Sequence, residues 1–180
     1  LTHGGAEWDL VRLLSSLPEK QFNARVICLK EEGPLAHLLR ERGIQTVALG
    51  MKGSLADLQR LGRLRQLLSS YRPDLIQGWL YHGDFFSAWA ARDLRIPVLW
   101  NLRQAAFVPS QSRTTRTLAR LCAKSSSSLP SAIICCSKSS REAHLQMGYD
   151  ASKMVIIENG FDTEEFYPDQ GDRLSVRQQW

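Results

Sequence analysis

The residues best equipped for chemistry follow short apolar runs. Gly78-Trp79-Leu80-Tyr81-His82-Gly83-Asp84 trails the third such run and is dense in aromatic and hydrogen-bonding groups. Trp and Tyr faces suit sugar rings or apolar tails, and His82 can polarise or hydrogen-bond a hydroxyl. A structural alternative puts Trp79, Phe86 and Trp89 in the core and uses His82 to cap the next helix. Core is favoured for the aromatics and function for His82, on its strand-end position. Asn101-Leu102-Arg103-Gln104 follows the next run. Arg103 can grip a phosphate or carboxylate there, or bridge to a neighbouring helix. Near the start, Gly4-Gly5-Ala6 reads as a glycine loop entering a helix, whose free N–H groups let a phosphate approach. A tight strand-to-helix turn without ligand is the plainer alternative, and the G-x-G-x-x-G of dinucleotide binders is absent. Ser137 behind Cys136 fits a helix cap with Ser140, and Asn159-Gly160 fits a turn.

Arg113, Arg116, Arg120 and Lys124 recur every three or four residues and form one cationic helical stripe. A solvated face is the common meaning of such a stripe, and a membrane-surface or acceptor-phosphate patch the sharper one. No aromatic residues interleave with it and no nucleic-acid motif accompanies it, which argues against nucleic acid as a partner. The net charge of +5 over 180 residues bears on partners such as phosphates and anionic lipids, not on fold. Cys28, Cys122, Cys135 and Cys136 form no C-x-x-C pair, which argues for buried reduced thiols in a reducing compartment and against zinc. With 43% hydrophobic and 23% charged residues, disorder, collagen and coiled coil are excluded. No apolar run approaches the roughly 20 residues of a membrane span.

These residues need a frame. Val26–Leu29, Thr46–Leu49, Leu75–Trp79, Val98–Leu102, Ala132–Cys136 and Val155–Ile157 read as strands. Helical stripes lie between them: Leu10 to Leu17, Leu35 to Leu39 stopped by Gly43, Leu55 to Tyr71, Phe86 to Leu94, and Leu118 to Cys122. The alternation predicts an α/β fold, a Rossmann-like doubly wound parallel sheet. Ligands bind outside the carboxyl ends of its strands, which is where the residues above stand. Residues 105–112 read as a flap. A first strand is expected ahead of Leu1. The domain is expected to span residues 1–170, with 171–180 opening an inter-domain region and Asp172–Trp180 starting a helix.

In this order the pieces resemble the N-terminal domain of glycosyltransferase family 4, also called group 1, of the GT-B fold. The carriers are Gly4-Gly5-Ala6-Glu7, Gly33-Pro34-Leu35 with Arg42-Gly43-Ile44, Arg72-Pro73-Asp74-Leu75-Ile76, Ile96-Pro97-Val98 and Cys136-Ser137. The most specific is Ile157-x-Asn159-Gly160-x-Asp162-x-x-x-Phe166-x-Pro168. Gly78 to His82 looks like a bacterial subgroup that builds cell-surface polysaccharides or glycolipids. The resemblance implies retaining transfer from a nucleotide sugar, a UDP- or GDP-sugar, without metal or other cofactor. It places the acceptor, a sugar or a lipid-linked sugar, on this domain and most donor contacts on a C-terminal one. Gly4 and Gly5 would approach the donor diphosphate, and His82 and Arg103 would be catalytic. Tyr81, Asp84, Gln104 and Ser137 would stand on the acceptor side, with Asn159 and Gly160 between domains. The implied setting is cytoplasmic, peripheral at the inner face of the membrane. Many members carry a His where this chain has Arg103-Gln104, and the family's paired glutamates, spaced by seven residues in the C-terminal domain, have no place in it. The 180 residues alone are therefore expected to be inactive. The alternatives are a non-catalytic module for anionic membrane surfaces and another GT-B enzyme such as a nucleotide-sugar epimerase.

Overall fold

The computed structural model describes residues 1, 4–53, 57–105 and 112–180, so the 105–112 flap and the Leu55 start of the third helical stripe fall largely outside the described residues. Among these residues the order is α1 (Gly5–Ser16), β1 (Arg25–Cys28), α2 (Ala36–Glu41), β2 (Gln45–Ala48), α3 (Asp57–Tyr71), β3 (Ile76–Gln77) and α4 (Leu80–Ala91). Then come β4 (Val98–Leu102), α5 (Arg113–Ser125), β5 (Ala132–Cys135), α6 (Lys138–Gln146), a 3-10 turn (Ala151–Lys153), β6 (Met154–Ile156) and α7 (Gln170–Gln179). Every expected strand appears within a residue or two of its apolar run. The exception in length is the Leu75–Trp79 run, of which only Ile76–Gln77 is strand, because the chain turns at Gly78 into α4. The last helix begins at Gln170, ahead of the expected Asp172, because the Asp169 carboxylate accepts the N–H groups of Gly171 and Asp172.

All pairings are parallel, but the strands form two sheets, β1-β2 and β3-β4-β5-β6, where one was expected. No ladder joins β1 to β3 among the described residues. Parallel neighbours require crossovers, and the helices supply them. α4 lies on β3 and β4 between α3 and α5, α6 lies on β5 and β6, and α2 lies on β2 beside α1.

The main core runs from Leu64 and Leu68 of α3 through Ala88, Ala90 and Ala91 of α4 to Trp100, Ile133 and Cys135 of the sheet. Small residues on α4 let that helix sit close to β4. Val11, Leu35 and Leu39 make a second cluster beneath α1 and α2. Both clusters lie below the strand ends, so the loops above them are held on a packed layer.

Candidate functional site

The carboxyl ends of the strands gather Arg103, His82, Gln104 and Ser137 at one edge. Arg103 leaves the end of β4 and is the hub. Its side chain is 6% exposed and forms an ion pair with Asp9 of α1. Its Nη2 donates to Asn159 Oδ1 at 2.8 Å, and its Nη1 donates to Asn101 Oδ1 at 3.4 Å. The guanidinium also lies 5.2 Å from the centroid of the Trp79 ring. Burial lowers its pKa and the neighbouring Cys136 works against that, and a guanidinium stays charged in either case. Of the two readings of Arg103, the structure therefore shows the bridge to a neighbouring helix. A phosphate would have to displace Asp9 or Asn159 to reach it.

The same hub fixes the segment after β6. Asn159 is held by Arg103, and Phe161 lies beneath Arg12 of α1, whose guanidinium is 4.7 Å from the ring centroid. Arg12 also stands 3.7 Å from Asp9. Gly160 is exposed between these two anchors. Asn159, expected with Gly160 between domains, is tied to the end of β4 through Arg103, while Gly160 has open space around it.

His82 is half-buried in the first turn of α4, inside the helix rather than capping it. Burial first and then the Lys30 charge hold its pKa below the ordinary histidine value, so the ring is neutral at pH 7 and can accept a proton or a hydrogen bond. Gln104 follows Arg103 just past the end of β4. With Leu80, Tyr81, Leu102 and Arg103 it lines a crevice too narrow to admit a water molecule.

Two acceptor-side residues are corrected. Tyr81 is 4% exposed and its hydroxyl donates to His144 Nε2 at 2.8 Å. Asp84 is fully buried, and its Oδ1 accepts the Asn101 N–H at 2.9 Å. Neither faces solvent, because α4 turns positions 81, 84, 88 and 91 onto the sheet, the spacing of one helical face. Ser137 proves to be the cap of α6, accepting the Ser140 N–H at 3.0 Å. At the start of α1, Gly4 has no side-chain cap, but a β-carbon there would overlap the Glu7 carboxylate. The expected phosphate position at Gly4 is thus shared with an acid of the same helix, while Gly5 is open.

Arg113, Arg116, Arg120 and Lys124 are all exposed on α5, opposite the buried Leu118, Ala119, Cys122 and Ala123. Among the described residues no group of three or more His, Cys, Asp or Glu could hold a metal ion. No helix there is long and apolar enough to cross a membrane. Sequence reasoning passed over Asp9, Trp79 as an anchor, and Asn101. Asp9 carried one signal, an acid three residues before Arg12 between Trp8 and Leu10.

No curated protein matches the chain significantly. Solved structures do. HepE from Anabaena, crystallised with UDP, superimposes with a TM-score of 0.75 at 25% identity, covering 98% of this chain and 46% of HepE. Its complex with UDP-glucose gives 0.73 at 25%, with the same coverage. MurG from Acinetobacter baumannii shares the fold at TM-score 0.62 and 15% identity, over 96% of this chain and 46% of MurG. The chain thus spans a little under half of each neighbour and corresponds to a Rossmann-like N-terminal domain of the GT-B fold. The family model described as Glycosyltransferase Family 4 matches residues 3–165, and the chain belongs to that family.

Proposed function

We propose that this chain is the acceptor-binding half of a retaining, nucleotide-sugar-dependent glycosyltransferase of hexosyltransferase type. It acts in bacterial cell-surface polysaccharide or glycolipid synthesis. The observation that carries the reading is the set of strand ends, with a neutral His82 at the β3–α4 turn and the Arg103 hub at the end of the neighbouring β4. The likeness to HepE, whose crystals hold UDP or UDP-glucose, supports a UDP-sugar donor over a GDP-sugar. Residues 1–170 form the domain, completed by a strand ahead of Leu1 that lies between β1 and β3. Residues from 171 lead toward a donor-binding domain.

In this reading His82 accepts a hydrogen bond from the attacking acceptor hydroxyl. Arg103 does not clamp the donor. It holds Asn159, and with it the segment leading to the donor side, against α1. A diphosphate reaches the N–H groups behind Gly4 and Gly5 once the Glu7 carboxylate has swung off the first turn, where the helix end favours an anion. Leaving-group charge is stabilised there and on the donor domain.

The test is nucleotide release by the full-length protein with UDP- and GDP-sugars, against these 180 residues alone. Release from a UDP-sugar by the former only is the expected result. Release by neither, with every donor, sinks the reading. The structural neighbours also include UDP-N-acetylglucosamine 2-epimerases, but at 14% and 18% identity that likeness reaches the fold alone.

The exposed stripe on α5 favours a second, compatible element. Arg113, Arg116, Arg120 and Lys124 dock the protein on the anionic inner face of the membrane, where lipid-linked acceptors are found. Each cation near such a surface contributes about 1 kcal/mol, so Arg113→Gln with Arg120→Gln lowers affinity for acidic vesicles by roughly 30-fold at low salt. Vesicle binding that ignores both changes and ignores salt removes this element.

A further inference from the structure

A strand that stops early leaves its neighbour with an unpaired amide. β3 pairs with β4 at Ile76↔Val98 and Gln77↔Leu99, and the Gly78 N–H still donates to Leu99 O at 2.8 Å. The chain then turns away into α4, while β4 runs on to Leu102. In a parallel ladder alternate residues face the same neighbour, so Asn101, like Leu99, presents its N–H toward β3. No β3 carbonyl remains to meet it. The buried carboxyl of Asp84 does so instead, at 2.9 Å.

The fit around Asp84 is close. A β-carbon on Gly78 would lie 2.5 Å from Asp84 Cα and 2.6 Å from Oδ1, so only glycine lets α4 come down at this point. Leu80 opens the helix with φ +62°, a left-handed conformation that disfavours a residue with a β-carbon. Trp79, just before it, is pinned by its Nε1, which donates to Ala6 O at 2.8 Å. Strain of this kind persists only where the surroundings hold it. The turn that presents His82 is thus fastened at Trp79 to α1 and at Asp84 to β4. The same Asn101 whose amide Asp84 satisfies offers its Oδ1 to Arg103 at 3.4 Å.

We infer that Asp84 is a positioning residue: from inside the fold it stands in for a missing strand carbonyl, and so sets the His82 turn and the Asn101–Arg103 strand end in register for sugar transfer. The assignment rests on the transfer reading above. Asp84 Oδ2 has no hydrogen-bond partner, and burial favours the neutral acid. The function needs one acceptor oxygen and no charge, which an asparagine of the same shape also provides.

The test uses the full-length protein with Asp84→Ala, Asp84→Asn and, as a control, Leu68→Ala, which opens the same core on α3 away from the turn. Two readouts are compared below every variant's melting temperature: kcat and KM for nucleotide release, and hydrogen exchange at the Asn101 amide. For Asp84→Ala we expect kcat to fall about 100-fold, the cost of a misplacement near 1 Å. KM should change less, and Asn101 exchange should quicken at least tenfold. Asp84→Asn should restore both to within about threefold, and Leu68→Ala should lower stability while leaving kcat and Asn101 protection near wild type. Asp84→Ala with normal kcat or normal Asn101 protection overturns the assignment. So does Leu68→Ala losing as much kcat as Asp84→Ala, or Asp84→Asn failing as badly as the alanine. A wild-type enzyme that transfers no sugar instead overturns the transfer reading itself, and the assignment with it.

Discussion

Breaking the Asp9–Arg103 pair separates a structural arginine from a surface one. Both side chains are under 10% exposed, so each has been stripped of water and the remaining partner is left charged inside the protein. Removing one member of such a pair costs about 3–5 kcal/mol. The two single variants differ in what remains. After Arg103→Ala, Asp9 still has the Arg12 guanidinium 3.7 Å away, which places the loss near about 3 kcal/mol. After Asp9→Ala, Arg103 keeps only the neutral oxygens of Asn159 and Asn101 and the face of Trp79, so the loss is nearer about 4 kcal/mol. At about 2–4 °C per kcal/mol for a chain of this length, either change lowers Tm by roughly 10 °C. Urea unfolding of both single variants and the double variant closes the cycle. The double variant should lie at least about 2 kcal/mol above the sum of the singles, since it leaves no orphan charge. Losses below about 1 kcal/mol with no coupling would mean a water-screened surface pair, and the reasoning that makes Arg103 a buried hub would fail.

Two further outcomes follow from the core. His144 is 1% exposed; its Nδ1 donates to Ser140 O at 2.7 Å, so its Nε2 accepts from the Tyr81 hydroxyl, and burial holds its pKa below 6.5. The unfolded chain then binds a proton that the native fold refuses, so stability falls as pH drops through 6.5, by at most about 1.4 kcal/mol from this group between pH 7.5 and 5.5. Tyr81→Phe leaves Nε2 unpaired, costs about 2 kcal/mol at pH 7.5 and flattens that pH dependence, because His144 then protonates more easily; a steeper dependence in urea titrations would contradict the assigned tautomer. Gly62 lies exposed within α3 with open space around it, so Gly62→Ala gains about 0.5–1 kcal/mol, whereas Gly78→Ala drives a methyl into the Asp84 backbone and loses about 3 kcal/mol. Thermal melts that rank these two in the opposite order refute the packing at the β3–α4 turn.

Much of the frame was legible because its signals are local. The Val98–Leu102 and Ala132–Cys136 runs report burial of a strand on both faces, and the Leu61, Leu64 and Leu68 spacing reports one buried helical face; neither depends on distant residues. The cationic face of α5 was legible for the same reason, since 113, 116, 120 and 124 share one side of a helix wherever that helix lies. Strand-end position also marked His82 and Arg103 as residues above the core. Burial on α4 was harder to read. Its face carries Tyr81 and Asp84 inward, but a polar side chain in an aromatic-rich stretch looks like an exposed one until the helix phase is known.

The sequence by itself determined the α/β alternation, the order of the elements and the family. Tertiary structure alone decided what the site residues touch. Arg103 meets an acid 94 positions earlier and an amide 56 positions later, and Asp84 meets an amide 17 positions on, across a strand that stops short. No local pattern encodes those meetings. They depend on where α1 and the segment after β6 come to rest against the sheet, and that is set by packing over the whole core, in which a shift of one side chain's width replaces one partner with another.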